Sequence, residues 1–272
     1  MTILSITTAD YTSYKSGTLS GFLRSCENAQ LDVFLVLRDF DTIPDLDTPL
    51  LVHKLFVPQM SLSDARNAAL KYIFDSNFDL SNYSLITFLD DDCEVTSSLT
   101  LLENPSLETD VFVGSYGPSL DERSNRFSSK SKKSESMGRT INRVASCTLY
   151  FKPVVIQSLG FFYPGLGVPN HPFSRGEDTE YFLRATEKGF SFSVIPSIFV
   201  KHPYKSVKRE DTILSDLLIS LRYFSKLGLT RVFRLSIKAL IFVLAKKIDT
   251  QDFLKVLPES KALKMYSLRK RK

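Results

Sequence analysis

The chain has 272 residues, of which 43% are hydrophobic, and its 35 lysines and arginines exceed its 30 acidic residues to give a net charge of +5. This composition excludes a disordered chain, and the length allows one large α/β domain or two small ones. A positive balance suits anionic partners such as nucleotide phosphates or an acidic membrane surface. The three cysteines, Cys26, Cys93 and Cys147, have neither metal-ligand nor disulfide spacing. With no recognisable signal peptide and no apolar run of about 18 residues, a cytoplasmic protein is expected.

Strands and helices alternate over the first two thirds of the chain. Apolar, partly β-branched runs predict strands at residues 2–7, 31–37, 50–57, 85–89 and 110–115. Helical patterns occur at residues 17–29 and 61–74, and residues 144–156 predict a further strand and a short helix. Such alternation predicts an α/β fold with a mostly parallel, Rossmann-like sheet flanked by helices.

Three consecutive acids, Asp90, Asp91 and Asp92, directly follow the predicted strand at residues 85–89. Adjacent negative charges repel each other, so such a cluster is costly unless a cation neutralises it. Hard cations such as Mg2+ and Mn2+ prefer oxygen ligands and often bind through one or two carboxylates together with substrate phosphates. The pattern favours a metal site at the carboxyl edge of the sheet over a solvated acidic turn.

A second acidic pair, Glu177 and Asp178, follows Gly176 at the start of a predicted helix. Acids in a first turn stabilise the helix dipole, which is a sufficient structural reason for them. A carboxylate there also serves as a general base if it faces a cleft. Downstream, His202 closes a short β-like run and is a candidate metal ligand, although a lone histidine is more often a surface or core residue.

The chain is predicted to be helical from about residue 207 to its end. Arg231, Arg234, Lys238 and Lys246 share one helical stripe beside a broad apolar face, and residues 269–272 are basic. A basic amphipathic helix with a polybasic tail fits attachment to an anionic membrane surface. A helix packed on the core with its basic stripe in water explains the pattern equally well.

Taken together, these motifs resemble a family-two glycosyltransferase of the GT-A fold. The resemblance rests on residues 63–70 (Ser-Asp-Ala-Arg-Asn-Ala-Ala-Leu), the Asp90–Asp92 cluster, Gly176-Glu177-Asp178 and His202, and it spans nearly all of residues 1–205. It implies a glycosyltransferase domain at residues 1–205, followed by a basic helical extension at residues 206–272. It also implies transfer of a sugar from a nucleotide sugar with inversion at the anomeric carbon.

By this resemblance, Asp92 and His202 would ligate Mn2+ or Mg2+, and Asp90 would face the donor's ribose or the metal. Arg66 would approach the nucleotide, and Asp178 would deprotonate the acceptor hydroxyl. These roles agree with the chemistry. A nucleoside diphosphate leaves readily only when its developing charge is neutralised, and a sugar hydroxyl needs a base to accept its proton.

The donor side departs from the family pattern. After the second strand the chain reads Val-Leu-Arg-Asp-Phe-Asp at residues 36–41, so Asp39 or Asp41 is expected to replace the acid that contacts the nucleobase. Thr8, in the loop predicted after the first strand, is expected to line the same pocket. Asp91 is placed with the donor-binding residues, and UDP-sugars are favoured over GDP-sugars.

On the acceptor side, Glu177 and His171 are expected to border the acceptor, a glycan or a lipid-linked saccharide, with a role in surface polysaccharide synthesis. The expected location is cytoplasmic, with peripheral attachment to the inner face of the cell membrane as an option and no nucleic-acid partner. Three alternatives fit the sequence less well. A phosphohydrolase with two such acids needs the first of them near the N-terminus, whereas this cluster begins at residue 90. A nucleotidyltransferase usually has a Gly-rich loop after its first strand, and residues 7–15 do not resemble one. A non-catalytic membrane-binding protein leaves the acidic motifs unexplained.

Overall fold

The computed structural model describes residues 2–40, 46, 48, 51–96, 99, 108–119, 137–141, 143–167, 171–203, 210 and 212–269. Within these ranges, eight strands form one sheet: β1 Ile3–Asp10, β2 Leu31–Arg38, β3 Leu51–Val57, β4 Leu85–Thr87, β5 Glu94–Val95, β6 Val111–Gly117, β7 Leu149–Phe151 and β8 Phe192–Lys201. The α-helices in this part of the chain are α1 Tyr11–Lys15, α2 Thr18–Asn28, α3 Leu62–Asp75, α4 Met137–Thr140, α5 Pro153–Leu159, α6 Glu177–Glu187, α7 Ile213–Arg222, α8 Phe224–Leu227, α9 Leu229–Leu244, α10 Thr250–Leu254 and α11 Val256–Arg269.

The strand order is β3-β2-β1-β4-β7-β6-β8-β5. The pairs β3-β2, β2-β1, β1-β4 and β6-β8 are parallel, whereas β7 and β5 run antiparallel to their neighbours. The mostly parallel sheet with flanking helices confirms the predicted fold class. The prediction missed β5, α1 and all of β8 except its end before His202, and it ended the first strand at residue 7 instead of residue 10. Residues 8–10 stay in register with residues 36–38 of β2, so the sheet continues where sequence alone suggested a loop.

Alternate side chains of β1 enter two cores, one on each face of the sheet, as the period of a strand requires. Leu4 and Ile6 join a large core with α3, α5 and α6, while Ile3 and Ala9 join a second core with α2. Local signals set the helix starts. Ser61 caps α3 by accepting a hydrogen bond from the Asp64 amide at 3.0 Å.

The C-terminal helices pack on the larger core. Apolar residues of α7, α9 and α11 belong to the same buried cluster as those of α6. The Tyr223 hydroxyl donates to Glu180 of α6 at 3.0 Å, and the Tyr266 hydroxyl donates to the Phe162 carbonyl at 3.1 Å. Within the described ranges, every helix is too short or too polar to cross a membrane.

Candidate active site

The carboxyl ends of β1 and β4 meet at the acidic cluster. β4 ends at Thr87, and the chain continues through the buried side chains of Phe88 and Leu89 to Asp90. Thr8 of β1 forms an isolated parallel bridge with Asp90. The cluster therefore lies at the carboxyl edge of the sheet, which is where open α/β sheets bind their ligands.

The Asp90 carboxylate is held by three neighbours. Its Oδ1 lies 3.2 Å from Arg66 Nη2, and its Oδ2 accepts a hydrogen bond from the Ser146 hydroxyl at 3.0 Å. His202 Nε2 lies 3.7 Å from the same Oδ2. Burial alone would raise the pKa of Asp90, but the nearby His202 imidazole and the charge of Arg66 outweigh it, so the pKa is lowered. Asp90 is therefore a fixed anion at the centre of the site.

Arg66 supplies the positive charge that joins the two acidic motifs. Its side chain rises from α3, is 2% exposed, and places Nη1 2.7 Å from Asp178 Oδ1 and 3.4 Å from Glu177 Oε1. With the contact to Asp90, one guanidinium faces three carboxylates, and the group stays net negative. The sequence predicted that Arg66 approaches the nucleotide. The structure places it among protein carboxylates, and a contact with nucleotide stays a prediction.

Asp178 and Glu177 occupy the first turn of α6. Asp178 Oδ2 accepts a hydrogen bond from the Ser146 backbone amide at 3.0 Å, while Oδ1 faces Arg66. Burial raises the pKa of Asp178 against the opposing charge of Arg66. Burial, together with the charge of Asp178, raises the pKa of Glu177 to about 7. Carboxylates with raised pKa values are suited to accept a proton near neutral pH.

Asp92 and His202 form the best candidate metal site. His202 Nε2 lies 3.2 Å from Asp92 Oδ1, and one donor atom each from Asp92, Cys93 and His202 lie within 4.8 Å of one another. Burial alone would lower the pKa of His202, but the neighbouring carboxylates of Asp90 and Asp92 raise it to about 10. The site therefore attracts a positive charge, which a divalent cation would supply with the imidazole neutral. Burial raises the pKa of the Cys93 thiol, so the oxygen and nitrogen donors fit Mn2+ or Mg2+ better than a thiophilic metal.

Asp91 has a separate environment near the end of β1. Burial raises its pKa to about 6; a hydrogen bond with Ser13 opposes this shift, and the charges of Asp90, Asp92 and Asp10 add to it. Asp10 caps α1 by accepting a hydrogen bond from the Ser13 amide at 3.0 Å. Acidic side chains therefore continue along the carboxyl edge of the sheet from the candidate metal ligands to Asp10 at the end of β1.

The predicted nucleobase end is only partly described. Asp39 is exposed just after β2, where its backbone has φ 61° and its amide donates to the Val57 carbonyl at 3.0 Å. Asp41 lies outside the described residues. Nearby, the rings of Tyr11 and Phe40 meet edge to face with centroids 5.7 Å apart. The roles of Thr8, Asp39 and Asp41 in base recognition stay predictions.

The predicted acceptor side is linked to Glu177 through Gly167. Phe173 donates its amide to His171 Nδ1 at 3.3 Å and accepts a hydrogen bond from the Gly167 amide at 3.0 Å. Gly167 has φ 71°, and a Cβ at this position would lie 2.9 Å from Ser63 Oγ and 3.0 Å from the Glu177 carboxylate. The turn with His171 is therefore tied to the buried acid, while its contact with an acceptor stays a prediction.

Two site residues were not anticipated from the sequence. Ser146 hydrogen bonds to both Asp90 and Asp178, yet a serine in the stretch before β7 carries no signal of this role. Cys93 follows the acidic cluster directly, and that adjacency is the one sequence feature that could have identified it. The structure brings together Arg66, Asp90, Asp92, Glu177, Asp178 and His202, all of which the sequence had selected.

Comparisons with known proteins show what the fold resembles. No protein-family model and no curated protein sequence matches the chain. The solved structure of S. aureus TarS matches 99% of this chain and 53% of its own, with a TM-score of 0.63 and 15% identity. A second structure, of TarS 1–349, matches 99% of this chain and 88% of its own, with a TM-score of 0.58 and 15% identity.

A third match is GalNAc-T7 in complex with UDP, GalNAc and Mn2+, which covers 84% of this chain and 49% of its own, with a TM-score of 0.52 and 14% identity. Compared with the first TarS structure, of which 53% is covered, the chain spans about half the length. At these identities the likeness shows the fold and not the activity. The fold of this chain is the GT-A fold of glycosyltransferases, as the sequence motifs predicted.

Proposed function

We propose that this protein is a metal-dependent, inverting glycosyltransferase that uses a nucleotide-sugar donor. The observation that carries the proposal is the contact between two acidic motifs, where Arg66 joins Asp90 of the strand-end cluster to Asp178 of α6, 88 positions later in the chain. The same group of residues includes the Asp92–His202 pair at 3.2 Å. The guanidinium therefore contacts the candidate base through Nη1 and, through Nη2, the Asp90 carboxylate that neighbours His202, on the fold that glycosyltransferases use.

On the donor side, Asp92 and His202 would hold Mn2+ or Mg2+. Bound there, the cation would neutralise the negative charge that develops on a departing nucleoside diphosphate. Asp90 is fixed by Arg66 and Ser146 and keeps its charge, because its pKa is lowered. We assign Asp90, with Asp91 and Thr8, to orient the donor at the carboxyl edge of the sheet.

On the acceptor side, Asp178 is the proposed base. Arg66 and the Ser146 amide each bind one of its oxygens and so fix the orientation of the carboxylate. Burial raises its pKa, which improves it as a proton acceptor. Direct attack by the acceptor hydroxyl on the anomeric carbon, with Asp178 receiving the proton, gives inversion by a single displacement. Glu177 and the His171 turn would border the acceptor.

We further propose a UDP-sugar rather than a GDP-sugar as donor, and a glycan or lipid-linked saccharide as acceptor in surface polysaccharide synthesis. Support for the donor comes from the UDP and Mn2+ in the GalNAc-T7 complex. The excess of basic residues suits an anionic lipid-linked acceptor and peripheral attachment to the cytoplasmic face of a membrane. The nucleotidyltransferase alternative lacks a Gly-rich loop after the first strand, and the non-catalytic alternative leaves the acidic motifs unexplained.

A thermal-shift experiment with nucleoside diphosphates tests donor binding. Ligand at about 100 times its dissociation constant adds about 2.7 kcal/mol of stability, which corresponds to roughly 5–10 °C for a chain of this size. We expect UDP with Mn2+ to produce the larger shift, GDP a smaller one, and either nucleotide with EDTA almost none. Equal shifts with and without the cation would contradict the metal site.

The Asp178→Asn variant tests the base. The amide keeps the shape and cannot take up the proton, so we expect transfer to fall by about 100- to 10,000-fold while UDP still binds. Asp64→Asn, the same change in the first turn of α3, is the matched control and should keep its activity. Turnover of Asp178→Asn above about a tenth of the wild-type value would place the base elsewhere.

A further inference from the structure

Helix α9 presents an apolar stripe to solvent. Its inward face carries Val232, Leu235 and Ala239, which pack on the core. A second stripe, set about a third of a turn away, consists of six large apolar side chains that are 44–76% exposed: Leu229, Phe233, Ile237, Leu240, Ile241 and Leu244. Their spacing of three, four and one residues keeps them on one side of the helix. The helix is therefore apolar on two faces, of which the core covers one.

The third face of α9 is basic. Arg231, Arg234 and Lys238 recur every three or four residues along the side of the exposed apolar stripe. The sequence from residue 217 to residue 248 contains no aspartate or glutamate and seven basic residues, in a chain whose overall charges are nearly balanced. The basic residues of α9 itself are therefore Arg231, Arg234 and Lys238, and the helix carries no acidic residue beside its apolar stripe.

The apolar stripe is large for the surface of a water-exposed domain. Six side chains, each exposing about half of its area or more, amount to an apolar patch on the order of 500 Å2, near the upper end of what monomers show. Single exposed apolar residues need no explanation. A continuous apolar stripe bordered by positive charge indicates a partner with an apolar interior and an anionic surface. A lipid bilayer with acidic headgroups has this layered chemistry.

We propose that α9 binds in the plane of an anionic bilayer, with its apolar stripe among the acyl chains and Arg231, Arg234 and Lys238 at the lipid phosphates. This inference deepens the proposed function and rests on it in one respect: the bilayer would also hold a lipid-linked acceptor. Two-fold pairing with a second copy is the competing arrangement. It would bring like-charged basic stripes near one another, whereas acidic headgroups complement them.

The absence of tryptophan from the sequence allows a direct test. Phe233→Trp places the one indole of the protein on the apolar stripe, and Phe56→Trp, at a 41% exposed position on β3, is the matched control. With vesicles of phosphatidylcholine and phosphatidylglycerol at low salt, we expect a blue-shifted emission and protection from an aqueous quencher for Phe233→Trp alone. No shift under these conditions overturns the proposal.

Flotation with vesicles then separates the apolar from the electrostatic contribution. The double variant Ile237→Asn/Leu240→Asn should lower the vesicle partition coefficient at least tenfold, whereas Val154→Asn, at a 52% exposed position on α5, should not change it. Equal partition into pure phosphatidylcholine would overturn the anionic assignment. A blue shift that needs high protein concentration and no vesicles would place a second copy on the stripe and overturn the proposal. Since no sugar is transferred in these assays, their failure leaves the glycosyltransferase proposal standing.

Discussion

Replacing Arg66 with methionine should destabilise the protein in a manner that depends strongly on pH. The guanidinium lies 2.7 Å from Asp178, 3.2 Å from Asp90 and 3.4 Å from Glu177, and its side chain is 2% exposed. Removing one partner of a buried ion pair costs about 3–5 kcal/mol because the other charge stays buried. With three carboxylates left behind, we expect a loss near the upper end of this range at pH 8.

The pH dependence follows from the direction of the pKa shifts. Arg66 lowers the pKa values of Asp178 and Glu177 against the effect of burial. Without it these pKa values rise further above those of the unfolded chain, so the folded variant binds more protons and its stability falls as pH increases from about 4 to 8. Each additional pKa unit corresponds to about 1.4 kcal/mol. The loss relative to wild type should therefore be smaller at about pH 5 than at pH 8.

Urea denaturation at the two pH values, with EDTA and no nucleotide, measures the effect. Arg222→Met is the matched control, because Arg222 pairs with Glu187, a single carboxylate that is 26% exposed. We expect a smaller loss for this control and little change with pH. Arg66→Lys keeps the charge and should recover part of the stability at pH 8. An equal loss for Arg66→Met at both pH values would refute the electrostatic reasoning and leave only the lost packing.

Two further substitutions test the metal site and the buried turn. Asp92→Ala should abolish the Mn2+-dependent part of nucleoside diphosphate binding in calorimetry, whereas Glu94→Ala, which removes a 59% exposed acid two positions away, should keep it; unchanged affinity in Asp92→Ala would remove this residue from the ligand set. Gly167→Ala should cost about 1–2 kcal/mol of unfolding free energy for its positive φ, plus the clash with Ser63 and Glu177. Gly189→Ala is the control, because Gly189 also has a positive φ but no atom lies within 4 Å of a Cβ added there. Equal losses of unfolding free energy in the two variants would show that the clash at residue 167 is relieved without cost.

The sequence predicted the elements whose signals are local. The buried run before Asp90 and the serine cap of α3 were both recognisable, because strand burial and helix capping depend on neighbouring residues. The antiparallel insertion of β7 between β4 and β6 was not predictable, since it depends on pairing between segments far apart in the chain. Likewise, β5 has two residues and exists only through its pairing with β8.

The same distinction between local signals and long-range contacts applies to the candidate site. Residue type and order along the chain selected Asp92, Asp178 and His202, because an acidic cluster after a strand, a Gly-Glu-Asp helix start and a later histidine occur together in the family that the sequence resembles. The central place of Arg66 was not predictable. Its partners lie 24 and 112 positions away, and only the folded chain shows that it contacts carboxylates of both motifs. Ser146 was missed for the same reason.

The attachment of the C-terminal helices to α6 has a consequence for synthesis of the protein. Glu180, two residues after Asp178, is completely buried, and its Oε1 accepts a hydrogen bond from Tyr223, while Tyr266 binds the backbone beside the same core. Tyr266 leaves the ribosome 88 residues after Asp178, an interval on the order of ten seconds at typical elongation rates. Throughout that interval the apolar surface that α11 covers stays incomplete on the nascent chain, and because such transiently exposed surface promotes aggregation, we expect the chain to need shielding until α11 has been synthesised.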